Sequence, residues 1–167
     1  MNWTIRRATE ADIPAIVEML MDDSFGTHRE SLDDLAPYLR AFSEIDRDPN
    51  QFLAVMEADG RLIGTMQITY ILGLSMHGAV RAQIEAVRIA SDLRGQGLGG
   101  ELINWGIAQA RERGCRLVQL TSNAKRVDAH RFYERLGFAR SHTGFKLDLA
   151  TKSQSSAHRD DPIPRSG

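Results

Sequence analysis

The feature that most constrains the fold is the glycine-rich segment at residues 94–100, which reads Arg-Gly-Gln-Gly-Leu-Gly-Gly. It lies between a β-rich segment and a stretch with helical periodicity that begins at Leu98. Glycine allows backbone N–H groups to approach a ligand closely, and a helix N-terminus directs unpaired N–H groups and a positive dipole end to the same place. Arg94 adds a forked, permanently charged donor. The segment therefore predicts a strand, a phosphate-binding loop and a helix in that order.

Hydrophobic periodicity predicts the elements around this loop. The expected strands are 2–8, 51–58, 61–72, 79–90, 116–121 and 145–149, and the expected helices start near Glu10 and at Ser31 and cover 98–113 and 126–136. The second helix is assigned a stripe of Leu32, Leu35, Leu39 and Phe42. Asp59-Gly60 suits the two-residue turn of a β-hairpin. The order β α α β β β α β α β predicts an α/β chain of the α+β type, a mixed sheet with helices on both faces.

Length and charge narrow the class of protein. A chain of 167 residues suits one core, which we place in residues 1–150, with a polar and flexible tail at 151–167. Lys and Arg total 21 against 22 Asp and Glu, so no nucleic-acid or membrane partner is expected. No apolar run reaches the roughly 18 residues of a membrane helix, and the single cysteine fits a reducing compartment. We expect a cytoplasmic protein.

Two familiar phosphate loops fit the glycine segment poorly. A Walker loop requires Lys followed by Ser or Thr after its last glycine, where this chain has Glu101-Leu102. A dinucleotide loop follows the first strand of its fold and has an acidic residue about 20 positions later. Here several strands precede the loop, and residues 120–123 contain no acid. Neither a P-loop nucleotidase nor a nicotinamide-dependent oxidoreductase is favoured.

A third pattern fits better. Arg94, Gly97 and Gly99 form Arg-x-x-Gly-x-Gly at the head of a helix, and residues 129–138 read Ala-His-Arg-Phe-Tyr-Glu-Arg-Leu-Gly-Phe. Together they resemble the pyrophosphate loop and the closing helix of the GNAT superfamily of acetyl-CoA-dependent N-acetyltransferases. The resemblance covers about residues 4–149. It implies a mostly antiparallel central sheet that splays between its fourth and fifth strands.

The resemblance also implies how acetyl-CoA would be bound as co-substrate. Its pantetheine arm would lie in the splay, held by backbone groups of Val87 and Ile89 beside a β-bulge. The residues expected to surround the pyrophosphate are Arg94, Gly95, Gln96, Gly97, Leu98, Gly99 and Gly100. Asn123 is assigned a further bond to pantetheine, although the family more often has its asparagine nearer the helix, where this chain has Arg126.

The implied reaction is direct attack of an amine on the thioester in a ternary complex. Such an amine is protonated at neutral pH, so a base is required, and Glu85 on the strand before the loop is our candidate, directly or through a water. It is equally compatible with a solvated strand carboxylate. Tyr133 matches the family's general acid, with a core tyrosine as its alternative. A strand N–H near Val87 is expected to stabilise negative charge on the thioester oxygen.

The acceptor is less constrained by the sequence. The family builds its pocket from the first two helices and the strands beside the splay, which here points to residues 22–30, Tyr38, Tyr70 and the loop around His77. Asp22 and Asp23 would attract a cationic amine or form a solvated helix end. Small amines, amino acids, aminated drugs and peptide amino termini all remain open, and an exposed sheet edge favours a homodimer. A non-catalytic acyl-CoA sensor is the alternative function.

Other reactive residues are assigned structural roles. Cys115 begins a buried strand without a nearby His-Asp pair, which favours a small apolar role over a nucleophile. The five histidines lack the paired spacing of metal ligands, so no metal is expected.

Overall fold

The computed structural model describes residues 2–22 and 29–149, which form a five-stranded sheet and five helices. The strands are β1 (Thr4–Arg7), β2 (Gln51–Ala58), β3 (Arg61–Ile71), β4 (Arg81–Ile89) and β5 (Leu117–Leu120). They lie in the order β1-β2-β3-β4-β5, with antiparallel pairing from β1 to β4 and a parallel β4–β5 pair. The expected mixed, mostly antiparallel sheet is confirmed.

The helices connect and cover this sheet. They are α1 (Ile13–Met21), α2 (Ala36–Arg47), the single turn α3 (Ser75–Gly78), α4 (Leu98–Glu112) and α5 (Val127–Arg135). Short 3-10 turns at Glu10–Asp12 and Ser91–Leu93 precede α1 and the glycine loop. None of the described helices is long and apolar enough to cross a membrane.

Local chemistry explains several boundaries that the sequence predicted. Asp59 and Gly60 adopt φ values of 50° and 75°, which match the twist of a two-residue hairpin between β2 and β3. Gly114 ends α4 at φ 75°, and the N–H of Cys115 then bonds to the Ala110 carbonyl at 2.9 Å. Gly137 ends α5 in the same way at φ 92°.

Two apolar clusters hold the helices on opposite faces of the sheet. On one face α1 and α2 pack over Leu53 and Val55 of β2. On the other face α4 packs over Met66, Ile68 and Ile84 through its buried residues, which are Leu98, Leu102, Ile103, Gly106 and Ala110. These are the inward residues that the 3.6-residue period predicts.

The second helix begins five residues later than expected. Ser31 and Asp33 form a local turn instead, in which the Ser31 hydroxyl accepts the Asp33 N–H at 3.1 Å. The Asp34 carboxylate accepts the N–H of Ala36 at 2.9 Å, and a proline at position 37 fixes the backbone of the first turn. Leu32 therefore lies outside the helix stripe and is 42% exposed.

The expected strand at 145–149 is wrong for the described structure. None of the described residues after β5 belongs to a strand, and Phe145, Leu147 and Leu149 are 93%, 85% and 88% exposed. The alternation of apolar and polar residues that predicted the strand is present, but no strand in the described part of the chain pairs with it. The tail predicted at 151–167 lies outside the described residues.

Candidate active site

The sheet opens at the carboxyl end of β4. Pairing of β4 with β5 stops at Ile84 and Leu120, whereas β4 continues to Ile89. On the other side of β4, Glu85 pairs with Gln67 and Arg88 with Thr65, so β4 contains one extra residue there. Ala86 has a left-handed φ of 52° at this irregularity. The bulge and the splay that the resemblance implies are both present.

A cleft of about 720 Å³ lies beside the opening. Residues 87–89 of β4 line it on one side, and Phe132 and Tyr133 of α5 line it on the other. The remaining lining residues are Met21, Asp22, Arg94, Gly99, Arg126 and Ala129. Val87, Ile89, Arg94, Gly99 and Tyr133, which the resemblance assigned to one site, all line this cleft.

The glycine loop lies at the adjoining end of α4. Gly95 and Gly97 have φ values of 79° and 85°, a conformation that side chains disfavour. The N–H groups of Gly100 and Glu101 both bond to the Gly97 carbonyl, at 2.9 and 3.2 Å. The N–H groups before them belong to the helix terminus and lack acceptors within the helix.

Space for an anion exists at this terminus. A second cleft of about 420 Å³ is lined by residues 93–95, 97–100 and parts of β4 and α5. A Cβ added at Gly95 or Gly97 would meet no atom within 4 Å. Of the predicted loop residues, Gln96 is the one that lines neither cleft. The loop can therefore surround a phosphate group with backbone donors.

Arg94 joins the loop to the end of α1. Its guanidinium donates to the Asp22 carboxylate at 3.0 Å and to the Asp22 carbonyl at 2.9 Å. It also donates to the Ile89 carbonyl at 3.1 Å. The Asp22 carboxylate is thus paired with an arginine instead of facing an amine, whereas Asp23 lies outside the described residues.

Tyr133 is the half-buried phenol of the larger cleft. Burial raises the pKa of its hydroxyl, and the nearby positive charges of Arg126 and Arg88 oppose that rise. Its ring packs edge-on against Phe132 and Phe138, with centroid distances of 5.1 and 5.9 Å. Tyr133 packs against the core and also lines the cleft. A role as a general acid and a role as a core tyrosine are therefore compatible.

Glu85 lies elsewhere. It is exposed, shares a sheet face with its partner Gln67, and does not line either of the two clefts described. Asn123 lies in the turn before α5, where its side-chain oxygen accepts the Lys125 N–H and its carbonyl accepts the Arg126 N–H, both at 2.9 Å. It too lies outside the lining of both clefts, so the two assignments stay predictions.

The sequence analysis did not identify Arg88 as a cleft residue, and it named Arg126 without assigning it a role. Arg88 lines the cleft beside Val87, at a place where a bulge interrupts the regular alternation of β4. Arg126 immediately precedes α5 and lines the same cleft, which its place at the head of the tyrosine helix could have suggested.

The predicted acceptor residues are scattered. Tyr38 donates to the Glu30 carboxylate at 3.0 Å and accepts the Ser31 N–H at 3.1 Å, so it organises the segment before α2. Tyr70 is 6% exposed and lies under the Arg113 guanidinium, 4.2 Å from the ring centre, which makes it a core residue. Residues 23–28 lie outside the described part. Within residues 2–22 and 29–149, acidic, His and Cys side chains form no group of three suited to a metal ion.

Comparison with known proteins agrees with this geometry. The chain is 33% identical over 102 residues to aminoalkylphosphonate N-acetyltransferase of Salmonella typhimurium. The aligned segment covers 61% of this chain and 66% of that enzyme. The chain also matches two further curated relatives. The matched part is 40% of the length of one and 28% of the length of the other.

Among solved structures, a transcriptional regulator from Bacillus halodurans C-125 is 45% identical, with a TM-score of 0.86 over 89% of this chain and all of that one. An acetyltransferase from Clostridium acetobutylicum solved with acetyl-CoA shares the fold at 18% identity, with a TM-score of 0.70 over 89% of this chain and 97% of that one. Residues 13–138 match the model of the acetyltransferase (GNAT) family. With the splayed sheet, the glycine loop and the tyrosine helix in place, this match shows that the chain belongs to the GNAT acetyltransferase family.

Proposed function

We propose that this protein transfers an acetyl group from acetyl-CoA to the primary amine of a small molecule or peptide. The observation that carries the proposal is the opening between β4 and β5, which adjoins both the glycine loop and Tyr133.

The residues present suit a coenzyme A thioester. The loop offers backbone donors in an open space, and Arg94 supplies a charged fork for the diphosphate. The end of β4, with Val87 and Ile89, offers backbone groups that β5 does not use. These residues would hold the pyrophosphate and the pantetheine arm.

The bound thioester supplies an activated acetyl carbon, to which the amine nitrogen bonds as the carbon–sulfur bond breaks and the sulfur leaves as a thiolate. Tyr133 is proposed as the acid that protonates this sulfur. The phenol is protonated at neutral pH, and burial raises its pKa further, so it still carries the proton when negative charge develops on the sulfur. The Val87 N–H is proposed to stabilise negative charge on the thioester oxygen.

Glu85 is retained as the proposed base for the amine proton. Its exposed position outside the cleft lining favours transfer through water over direct contact. A Glu85→Gln variant that retains full turnover at neutral pH would remove this assignment and leave the rest of the proposal intact.

Charge within the larger cleft supports a narrower acceptor class. Arg88 and Arg126 line it in addition to Arg94, which is assigned to the diphosphate, and Asp22, the acid among the lining residues, is already paired with Arg94. Such a lining favours an amine that also has a phosphonate, phosphate or carboxylate group. The Salmonella relative is named for an aminoalkylphosphonate, which supports the same class.

A panel of matched amines tests the function. We would compare 2-aminoethylphosphonate with ethylamine, glucosamine 6-phosphate with glucosamine, and peptides with acidic or neutral first residues, each scored by free thiol released from acetyl-CoA. The proposal expects release with at least one amine and a kcat/KM about 10-fold higher for anionic members. Tight acetyl-CoA binding without release for any amine would favour the sensor alternative.

A further inference from the structure

A row of polar side chains runs along β4 on the face of the sheet opposite α4. It consists of Arg81, Gln83 and Glu85, which alternate with two residues that are buried in the apolar cluster under α4. The Gln119 side chain donates from Nε2 to Oε1 of Gln83 at 2.8 Å, so β5 extends the polar surface sideways. We call the three β4 residues the polar stripe.

The polar stripe shares its face of the sheet with the helices α1 and α2 but lies outside their apolar cluster. Leu53 pairs with Gln67, and Gln67 pairs with Glu85, so these residues form one row across the sheet. The sheet residues of the cluster are Leu53, Val55 and Leu62, all from β2 and β3. Two stripe residues are half-buried and Glu85 is exposed. A small ligand can therefore lie along the stripe.

Arg81 is a half-buried cation without a counterion. Its Nε is buried and has no hydrogen-bond partner, and no carboxylate in the described part of the chain pairs with its guanidinium. By contrast, Arg6, Arg61 and Arg94 each pair with an aspartate. Burying a guanidinium nitrogen without an acceptor costs free energy, and the forked donors of arginine fit a carboxylate or a phosphonate. This position therefore suits an anion that a ligand brings.

Glu85 lies at the other end of the polar stripe, where the sheet opens. β4 pairs with β5 as far as Ile84, and Glu85 is the next residue. The acetyl thioester proposed above would lie in this opening. An amine held at Glu85 would therefore be close to the carbon that it attacks.

We propose that the polar stripe selects the acceptor by length, with its amine at Glu85 and a carboxylate or phosphonate at Arg81. This inference rests on the proposed acetyl transfer and narrows its substrate class. Four strand residues span about 13 Å. A hydrogen bond of about 3 Å at each end leaves about 7 Å between the amine and the anion. An extended chain gains about 1.2 Å per bond, so about six bonds separate the two groups, as in 6-aminohexanoate.

A series of chain lengths tests the inference on the parent protein. Glycine, 4-aminobutanoate, 6-aminohexanoate and 8-aminooctanoate are compared with hexylamine, each scored by thiol released from acetyl-CoA. We expect kcat/KM to be highest for 6-aminohexanoate, about 10-fold above glycine and hexylamine. A preference for the shortest acids would assign the anion to Arg88 and Arg126 of the larger cleft and overturn the role of Arg81. Equal rates across the series would also overturn it, although acetyl transfer would stand.

Two arginine variants test which side chain binds the anion. Arg81→Gln should lower kcat/KM for 6-aminohexanoate by about 10-fold and leave hexylamine unchanged, because hexylamine has no anionic group. Arg116→Gln is the matched control. It alters an exposed arginine one residue before β5, at the same end of the sheet, and alternation places it on the opposite face. Equal effects of the two variants on 6-aminohexanoate would contradict the proposal.

A binding measurement separates this inference from acetyl transfer itself. By calorimetry on protein saturated with coenzyme A, 6-aminohexanoate should bind the parent about 10-fold more tightly than it binds Arg81→Gln. If no amine releases thiol but this difference is present, the acetyl transfer is wrong and the polar stripe stands. Equal affinities would overturn the polar stripe whatever the turnover.

Discussion

The two halves of the sheet are built differently. Around β2 and β3 the pairing runs the whole length of β2, from Gln51 to Ala58, and Ala54, Val55 and Met56 are fully buried. Around β4 and β5 the pairing ends at Ile84, and no residue of β5 is buried. Helices pack over both halves, and the two clefts described border the open half.

This difference shows how one sheet provides both stability and a binding site. Apolar burial stabilises the closed half, and its strands have no room for a ligand. In the open half, the end of β4 has no β5 partner beyond Ile84, and Arg88, Arg126 and Tyr133 line the cleft beside it. Substitutions in the two halves should therefore affect different properties.

The largest effect is expected from Tyr133→Phe in the open half. Removing the hydroxyl should lower kcat with any accepted amine by about 100-fold, because the leaving thiolate loses its proton donor. The affinity for acetyl-CoA should change by less than about 3-fold, since the ring and its packing remain. Steady-state kinetics and calorimetry on the same preparation measure both. Unchanged turnover would show that the phenol is only a core residue.

A matched pair of valine truncations compares the halves directly. Val55→Ala should lower the free energy of unfolding by about 2–3 kcal/mol, because it leaves a cavity in a fully buried site. Val87→Ala, on the half-buried rim of the cleft, should cost about 1 kcal/mol or less. Urea unfolding of both variants gives the comparison. Equal losses would mean that the open half is as tightly packed as the closed half.

The ionic cluster beside β1 makes the closed half sensitive to acid. Arg6 donates to Asp12 at 2.7 Å and, with Thr9, holds the pKa of the Asp12 carboxyl at about 2, below its ordinary 3.8. Stability from this pair is therefore present above pH 3.8 and is lost as the pH falls through 2. Because the Arg6 side chain is 39% exposed, solvent screens the pair, and Asp12→Asn should cost about 1–2 kcal/mol at pH 7.

Unfolding measured across pH 7 to 2 tests this contribution. The variant should lose less stability than the parent chain between pH 4 and pH 2. Parallel curves for the two proteins would contradict the assigned role of Asp12.

The smallest effect is expected from Asp22→Asn. If Arg94 binds the diphosphate as proposed, Asp22 competes for the same guanidinium, and weakening this exposed pair should raise the affinity for acetyl-CoA by about 2-fold to 5-fold. Calorimetric titration measures it. Glu44→Gln, in an exposed ion pair with Arg47 on α2, is a control that should leave the affinity unchanged. A weaker affinity in Asp22→Asn would show that Asp22 positions Arg94 instead of competing for it.

Local rules predicted most of the fold. The hairpin at Asp59-Gly60 and the inward residues of α4 depend on nearest neighbours and on helical period, which a sequence displays. The strand predicted at 145–149 failed because alternation identifies an apolar side but not a pairing partner. The predicted start of α2 was wrong because the segment contains two residues that can cap a helix N-terminus. The helix begins after Asp34, with a proline in its first turn, and not at Ser31.

The site was predictable where a motif fixed the backbone. Gly97 and Tyr133 lie in fixed positions relative to α4 and α5, so their place at the clefts follows from those helices. Arg88 could not be placed, because a bulge at a left-handed Ala86 is not visible in a strand pattern. Glu85, upstream of that bulge, was assigned by position alone, and the structure places it in an exposed position outside the lining of both clefts, so its assignment stays a prediction.

The central claim, that the loop of residues 94–100 binds acetyl-CoA, is tested most directly by isothermal calorimetry on two matched variants. Gly97→Asp and Gly60→Asp place the same side chain at similar backbone angles, φ 85° and 75°, with open space around each added Cβ. We predict that Gly97→Asp weakens acetyl-CoA binding by at least about 100-fold, because a carboxylate would face the diphosphate, whereas Gly60→Asp binds as the parent does. Equal binding by both variants, or no heat with the parent chain, would contradict the claim.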